Sequence, residues 1–307
     1  MTPQGDMDSL FLKPDGRRIF LEWYDGMLGR LDVPWEARYV RTRQGNTHVV
    51  TCGAGDGPDV VLLPGLGTTG VGMPAVLGQA GRRCRLHVVD VIGQPGKSAH
   101  SRPDPAGPGY GQWVADVLDG LGIAKARIVA FSFGSWLTLA LASQAPDRIE
   151  RAALAIPAGL VPMTNDARLV LVHQWLRATA LRDPDASRAL NRALAAPGHE
   201  PMEDLVRMTE ITARSFAPEI RPLWPFDFPG TSPVRVYHRE ELARFTAPTL
   251  VVAGLHDRLF PFESLARQAA RVLPGLVEVR VDPYLGHVPS MDCFDRTVDR
   301  ILTFVCG

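Results

Sequence analysis

Residues 127–145 constrain the fold more than any other part of the chain. Residues 127–131 are a short apolar run, residues 133–145 are almost wholly apolar, and Ala130-Phe131-Ser132-Phe133-Gly134 joins them. An apolar run passing at once into an apolar helix is a strand entering a helix buried beside a sheet. The turn between them crowds its backbones together, so the residues two before and two after the serine have to be small. It leaves the Ser132 hydroxyl at a helix N-terminus, whose partial positive charge favours an anion.

The rest of the chain repeats this rhythm. The runs at 59–63, 85–90, 151–156, 249–253 and 277–281 read as strands. Helical spacing recurs in Trp113, Val114, Val117, Leu118 and Leu121, in Ala266, Ala269, Ala270 and Leu273, and in Val298, Ile301, Leu302 and Val305. Strands alternating with helices predict an α/β fold, a mostly parallel central sheet flanked by helices on both faces. Ahead of it, Phe20, Trp23, Tyr24, Met27, Leu28 and Leu31 mark an amphipathic helix packed on the main domain, and 38–52 reads as a hairpin turning at Gly45-Asn46. The segment 159–233 breaks the rhythm: helical in its first two-thirds, then rich in proline at Pro218, Pro222, Pro225, Pro229 and Pro233. The expected organisation is an N-terminal helical extension (1–37), a core (38–158 and 234–307) and an inserted segment (159–233).

Composition removes several function classes. Lys plus Arg and Asp plus Glu both number 33, so the formal charge is zero and no nucleic-acid footprint is expected. No apolar stretch is long enough to span a bilayer, and no membrane partner is expected. Residues 1–8 are polar and acidic rather than a basic region before an apolar run, so the expectation is a cytoplasmic protein without a secretory signal. Cys52, Cys84, Cys293 and Cys306 are scattered and read as reduced thiols. The eight histidines lack ligand spacing, so neither metal nor cofactor is expected.

A serine nucleophile needs a base, and the base an orienting acid. Gly286-His287 follows the last strand run, and Asp257 follows the one before it. Both therefore fall on loops at the carboxyl edge of the sheet, in the chain order Ser132, Asp257, His287. His256, Asp282 and Asp292 are the competitors; Asp292 reads as the cap of the last helix. After the run at 59–63, Pro64-Gly65-Leu66-Gly67 offers the Leu66 amide, which with the Phe133 amide forms a candidate oxyanion hole. No Walker spacing is present there or in the loop Asp90–Ser98, which reads as structural, at the rim of the site.

These motifs together resemble the α/β-hydrolase superfamily from about Arg38 onward. Within it, the D-x-I-G-x-x-x-K-S loop (Asp90 to Ser98) and the G-H-V-x-S-M-D loop (Gly286 to Asp292) resemble those of bacterial carboxylesterases. The resemblance implies a helical cap after the sixth strand, where residues 159–233 lie, and a cofactor-free Ser-His-Asp triad acting on a small-molecule acyl substrate. Pro64 and Ala130 depart from the usual histidine and glycine. Gly65, Trp175 and Trp224 are the candidate substrate-binding residues. Ester hydrolysis through an acyl-enzyme is the expected activity. A thioesterase, lactonase, cyclase or acyltransferase on the same triad is the alternative, and a ligand receptor with a retained triad the alternative of another class. Serine in place of aspartate argues against dehalogenase or epoxide hydrolase chemistry. High Arg, Ala and Pro usage points to a high-GC bacterial source. Oligomeric state has no signature in the sequence.

Overall fold

The computed structural model describes residues 14–53, 57–179, 183, 185–215 and 234–307. Eight strands form one sheet: β1 (Trp35–Thr42), β2 (Gly45–Cys52), β3 (Asp59–Leu63), β4 (Arg85–Val89), β5 (Ala126–Phe131), β6 (Ile149–Ala155), β7 (Thr249–Gly254) and β8 (Leu276–Asp282). Their spatial order is β1-β2-β4-β3-β5-β6-β7-β8. β1–β2 and β2–β4 pair antiparallel, and every other pair is parallel. Thr42 pairs with Gly45, so the hairpin turns on Arg43-Gln44 rather than at Gly45-Asn46. β1 begins at Trp35, so the expected boundary at residue 37 falls inside a strand.

The helices are α1 (Pro14–Gly29), α2 (Pro74–Gly81), α3 (Gly109–Leu121), α4 (Phe133–Gln144), α5 (Asn165–Thr179), α6 (Ala186–Leu194), α7 (Glu203–Ser215), α8 (Arg239–Leu242), α9 (Phe262–Val272) and α10 (Met291–Cys306). Alternation along the strands divides the core in two. Val61, Leu63, Ile128, Ala130 and Leu154 face α3, α4 and α9, whereas Val60, Leu62, Val129, Phe131 and Ala153 face α1, α2 and α10. Both faces are buried, which is why these strands read as continuous apolar runs.

α1 packs where its periodicity predicts, with Phe20, Trp23, Tyr24 and Leu28 buried. Its Tyr24 hydroxyl donates to Asp90 (2.8 Å), in the loop after β4. α5, α6 and α7 all lie between β6 and β7. This segment is closed at its base, where the Tyr237 amide donates to the Gly159 carbonyl (2.8 Å). The proline-rich stretch 216–233, with Trp224, lies outside the described residues, as does the Trp175 side chain on α5. No helix of the described residues is long and apolar enough to cross a membrane.

Candidate active site

Ser132 sits at φ +49° and ψ −109°, between β5 and α4. A non-glycine residue held there is strained by roughly 1–3 kcal/mol, and it persists because the surroundings over-determine it. The Ser132 amide donates to the Ala155 carbonyl (2.9 Å), and its carbonyl accepts from the Ala158 amide (3.2 Å). Gly134 is enforced by contact: a Cβ there would lie 1.9 Å from the Leu63 carbonyl oxygen and 2.9 Å from that of Pro64. Ala130, two residues before Ser132, fits in the fully buried end of β5.

The hydroxyl so presented meets His287. Ser132 Oγ lies 3.0 Å from His287 Nε2, and His287 Nδ1 lies 3.0 Å from Asp257 Oδ2. Nδ1–H donates to the carboxylate, which leaves Nε2 as the acceptor for the serine proton. Asp257 is buried, and its other oxygen accepts the Leu259 and Phe260 amides (2.8 and 3.2 Å). The three residues therefore form one hydrogen-bonded series across the ends of β5, β7 and β8.

The rival residues are engaged elsewhere. His256 is exposed. Asp282 accepts from the Thr297 hydroxyl (2.6 Å) and the Tyr284 amide (2.9 Å). Asp292 lies in the first turn of α10; Ser290 holds the N-cap position that the sequence reading gave to Asp292. The segment between β6 and β7 also braces the loops of the series. Val288, next to His287, donates its amide to Leu194 (3.0 Å), and the Thr164 hydroxyl donates to the Arg258 carbonyl (2.7 Å). Gly286 allows the first of these approaches, since a Cβ there would lie 2.4 Å from the Leu194 oxygen.

The Leu66 and Phe133 amides, both in the cavity wall beside Ser132, make no hydrogen bond among the described residues. The loop carrying Leu66 is pinned on its far side. The Gly67 amide donates to Gln94 Oε1 (3.0 Å), and Thr69 Oγ1 donates to Asp90 Oδ1 (2.6 Å). Residues 90–98 are thus a buttress behind this loop as much as a rim, a role invisible without knowing that Tyr24, His48 and Thr69 converge on Asp90.

Asp90 is fully buried. Burial alone would push its carboxyl up, but His48 (3.1 Å), Thr69 and the Lys97 amide (3.0 Å) outweigh it and hold the group below the usual aspartate range. A depressed carboxyl contributes stability above its unfolded value, and that contribution is lost as pH falls through the depressed folded value. Asp90→Asn is expected to cost roughly 3 kcal/mol at neutral pH, because several buried donors lose their anion. The cost should shrink in acid; chemical denaturation of both proteins across pH 2–7 reads it, and an equal gap at every pH would contradict the assignment.

The series opens on a cavity of about 510 Å³ between the sheet edge and α5, α6 and α7. Gly65 lines it, along with Met73, Val161, Leu171, Leu190, Leu205 and Phe260. None of these six apolar residues was singled out by the sequence, because helical periodicity marks a buried face without distinguishing packing from ligand contact. Among the described residues no cluster of three or more His, Cys, Asp or Glu could hold a metal.

Comparison with known proteins supplies the context. The profile of the family described as the alpha/beta hydrolase fold matches residues 58–292. The carboxylesterase YbfK of Bacillus subtilis is 26% identical over 292 residues, covering 94% of each chain. Its crystal structure, under the alternative name carboxylesterase CesB, superposes with a TM-score of 0.79, covering 95% of this chain and 98% of that one. The naproxen esterase of the same organism superposes equally well (TM-score 0.79, 23% identity, 95% and 99% covered), a likeness of fold.

Proposed function

This chain belongs to the α/β-hydrolase fold family and is a carboxylesterase-like serine hydrolase, and from that premise we propose that it cleaves a carboxylic ester through an acyl-enzyme on Ser132. Ser132 Oγ attacks the ester carbonyl while His287 Nε2 takes its proton. Asp257 holds the imidazole in the tautomer that can accept this proton and stabilises the imidazolium that results. The Leu66 and Phe133 amides hold the oxyanion, each donor contributing about 3 kcal/mol. Collapse expels the alcohol, protonated by His287. Water then attacks the acyl carbonyl with His287 again as base, and Ser132 is released with the carboxylic acid.

The observation that carries this reading is the series Ser132–His287–Asp257, with both links at 3.0 Å, opening on a cavity beside two uncommitted amides. A fluorophosphonate probe is expected to modify Ser132 and no other serine, and Ser132→Ala to abolish both labelling and ester turnover. Two other serines are tied to backbone: Ser98 donates to the Asp90 carbonyl (2.6 Å) and Ser135 to that of Ala130 (3.1 Å). Peptide mass spectrometry placing the label on either, with Ser132 clean, would overturn the assignment.

A further inference from the structure

The cavity wall carries a mismatch that the chemistry at Ser132 leaves unexplained. Most of its polar side chains are matched internally. Asn191 donates to the Ser187 carbonyl (2.8 Å), Thr209 to that of Leu205 (2.8 Å) and Thr297 to Asp282 (2.6 Å). Two are not. Gln174 on α5 is only 8% exposed, and its Oε1 accepts from Arg177 Nη1 (3.1 Å), which leaves its NH₂ group without a partner among the described residues. Arg168, six residues earlier, is half-buried and makes no ion pair or side-chain hydrogen bond among them. The nearest acid along the helix, Asp166, is taken by Arg258 (2.6 Å).

Arg168, Leu171 and Gln174 all line the cavity, so this face of α5 offers it two donors around one apolar contact. No aspartate or glutamate lines the cavity among the described residues. A guanidinium and an amide without a protein partner, set in a largely apolar wall, favour a ligand that supplies acceptors. An ionised carboxylate suits both, because arginine binds its two oxygens side by side. Arg168 keeps part of its surface in solvent, so the anion it meets is not stripped of all its water.

We propose that the substrate is an ester with an apolar body and a negatively charged end away from the scissile carbonyl, and that Arg168 and Gln174 recognise that end. Neither residue belongs to the loops that carry Ser132, His287 or Asp257. The proposal takes the word substrate from the ester-hydrolase reading, but recognition of the anion is testable without turnover.

Ser132→Ala protein is titrated with monomethyl suberate, which has one ester and one carboxylate, and with neutral methyl octanoate. The charged ligand is expected to bind at least about tenfold more tightly, the usual scale of a charged hydrogen bond. That advantage should vanish in Ser132→Ala/Arg168→Met, survive in part in Ser132→Ala/Arg168→Lys, and fall by a smaller factor in Ser132→Ala/Gln174→Leu. It should also shrink as salt is raised. Tighter binding of methyl octanoate, or an advantage that outlives Arg168→Met, would overturn the proposal. Because the readout is binding, failure of fluorophosphonate labelling at Ser132 would sink the catalytic reading and leave this result intact, and the reverse also holds.

Discussion

Asp257→Asn is expected to fold as the parent does and to lose roughly 10⁴-fold in kcat, the scale seen when the same exchange is made in a serine protease. The reason lies in what surrounds the carboxylate. Its partners are all donors: the imidazole Nδ1–H and the amides of Leu259 and Phe260. An asparagine at this position keeps one oxygen for the two amides and turns its NH₂ toward the imidazole. The ring then places its proton on Nε2, and Ser132 faces a donor where it needs an acceptor. Steady-state kinetics on a chromogenic short-chain ester measure the loss, and thermal unfolding checks the fold. Near-parental turnover in Asp257→Asn, with a large loss in Asp282→Asn or Asp292→Asn instead, would show that a different carboxylate orients the base.

Gly134→Ala should also be damaging, by a different route. The new methyl would sit 1.9 Å from the Leu63 carbonyl oxygen, and neither partner is the free end of a side chain. Relief requires α4 to move away from the end of β3. Pro64 and Gly65 follow directly from β3, so that movement also displaces the Leu66 amide relative to Ser132. We expect a stability loss on the order of 3 kcal/mol and a fall in kcat of at least about a hundredfold, as for removal of one oxyanion donor. Guanidinium unfolding and ester kinetics on the same preparation separate the two effects. A variant with unchanged stability would mean that the turn has room that the strand geometry denies.

The series was legible in the sequence because each member follows a strand and the strands announce themselves. Ser132 follows the run at 127–131, Asp257 the one at 249–253, and His287 the one at 277–281. Parallel strands put all their carboxyl ends at one edge, so chain order alone gathers these residues there. The buttress was not legible. Asp90, His48, Tyr24 and Thr69 come from four separate elements, and only pairing in space reveals that they share one carboxylate. Nor was the short α2: its eight residues include two glycines and give little periodicity. The donors on α5 escaped for a related reason. Residues 167, 171 and 174 recur as a helix stripe should, and the unmatched valences of Gln174 and Arg168 become visible only once their neighbours are known.

The bond from the Tyr237 amide to the Gly159 carbonyl has a consequence for how such a chain can change over generations. It fastens the two ends of the long segment between β6 and β7, so the sheet sees that segment as a closed loop of whatever length. Closing a loop costs entropy only as the logarithm of its length, and doubling it costs about 0.6 kcal/mol. Insertions, deletions or substitutions in this segment can therefore accumulate at little expense to the strands, provided that the Leu194 and Thr164 braces on the His287 and Asp257 loops are kept. The cavity-lining residues of α5–α7 are the ones freest to drift, while Ser132, Asp257 and His287 stay under the constraint of a buried sheet. Substrate range in a lineage built this way should diversify faster than reaction type.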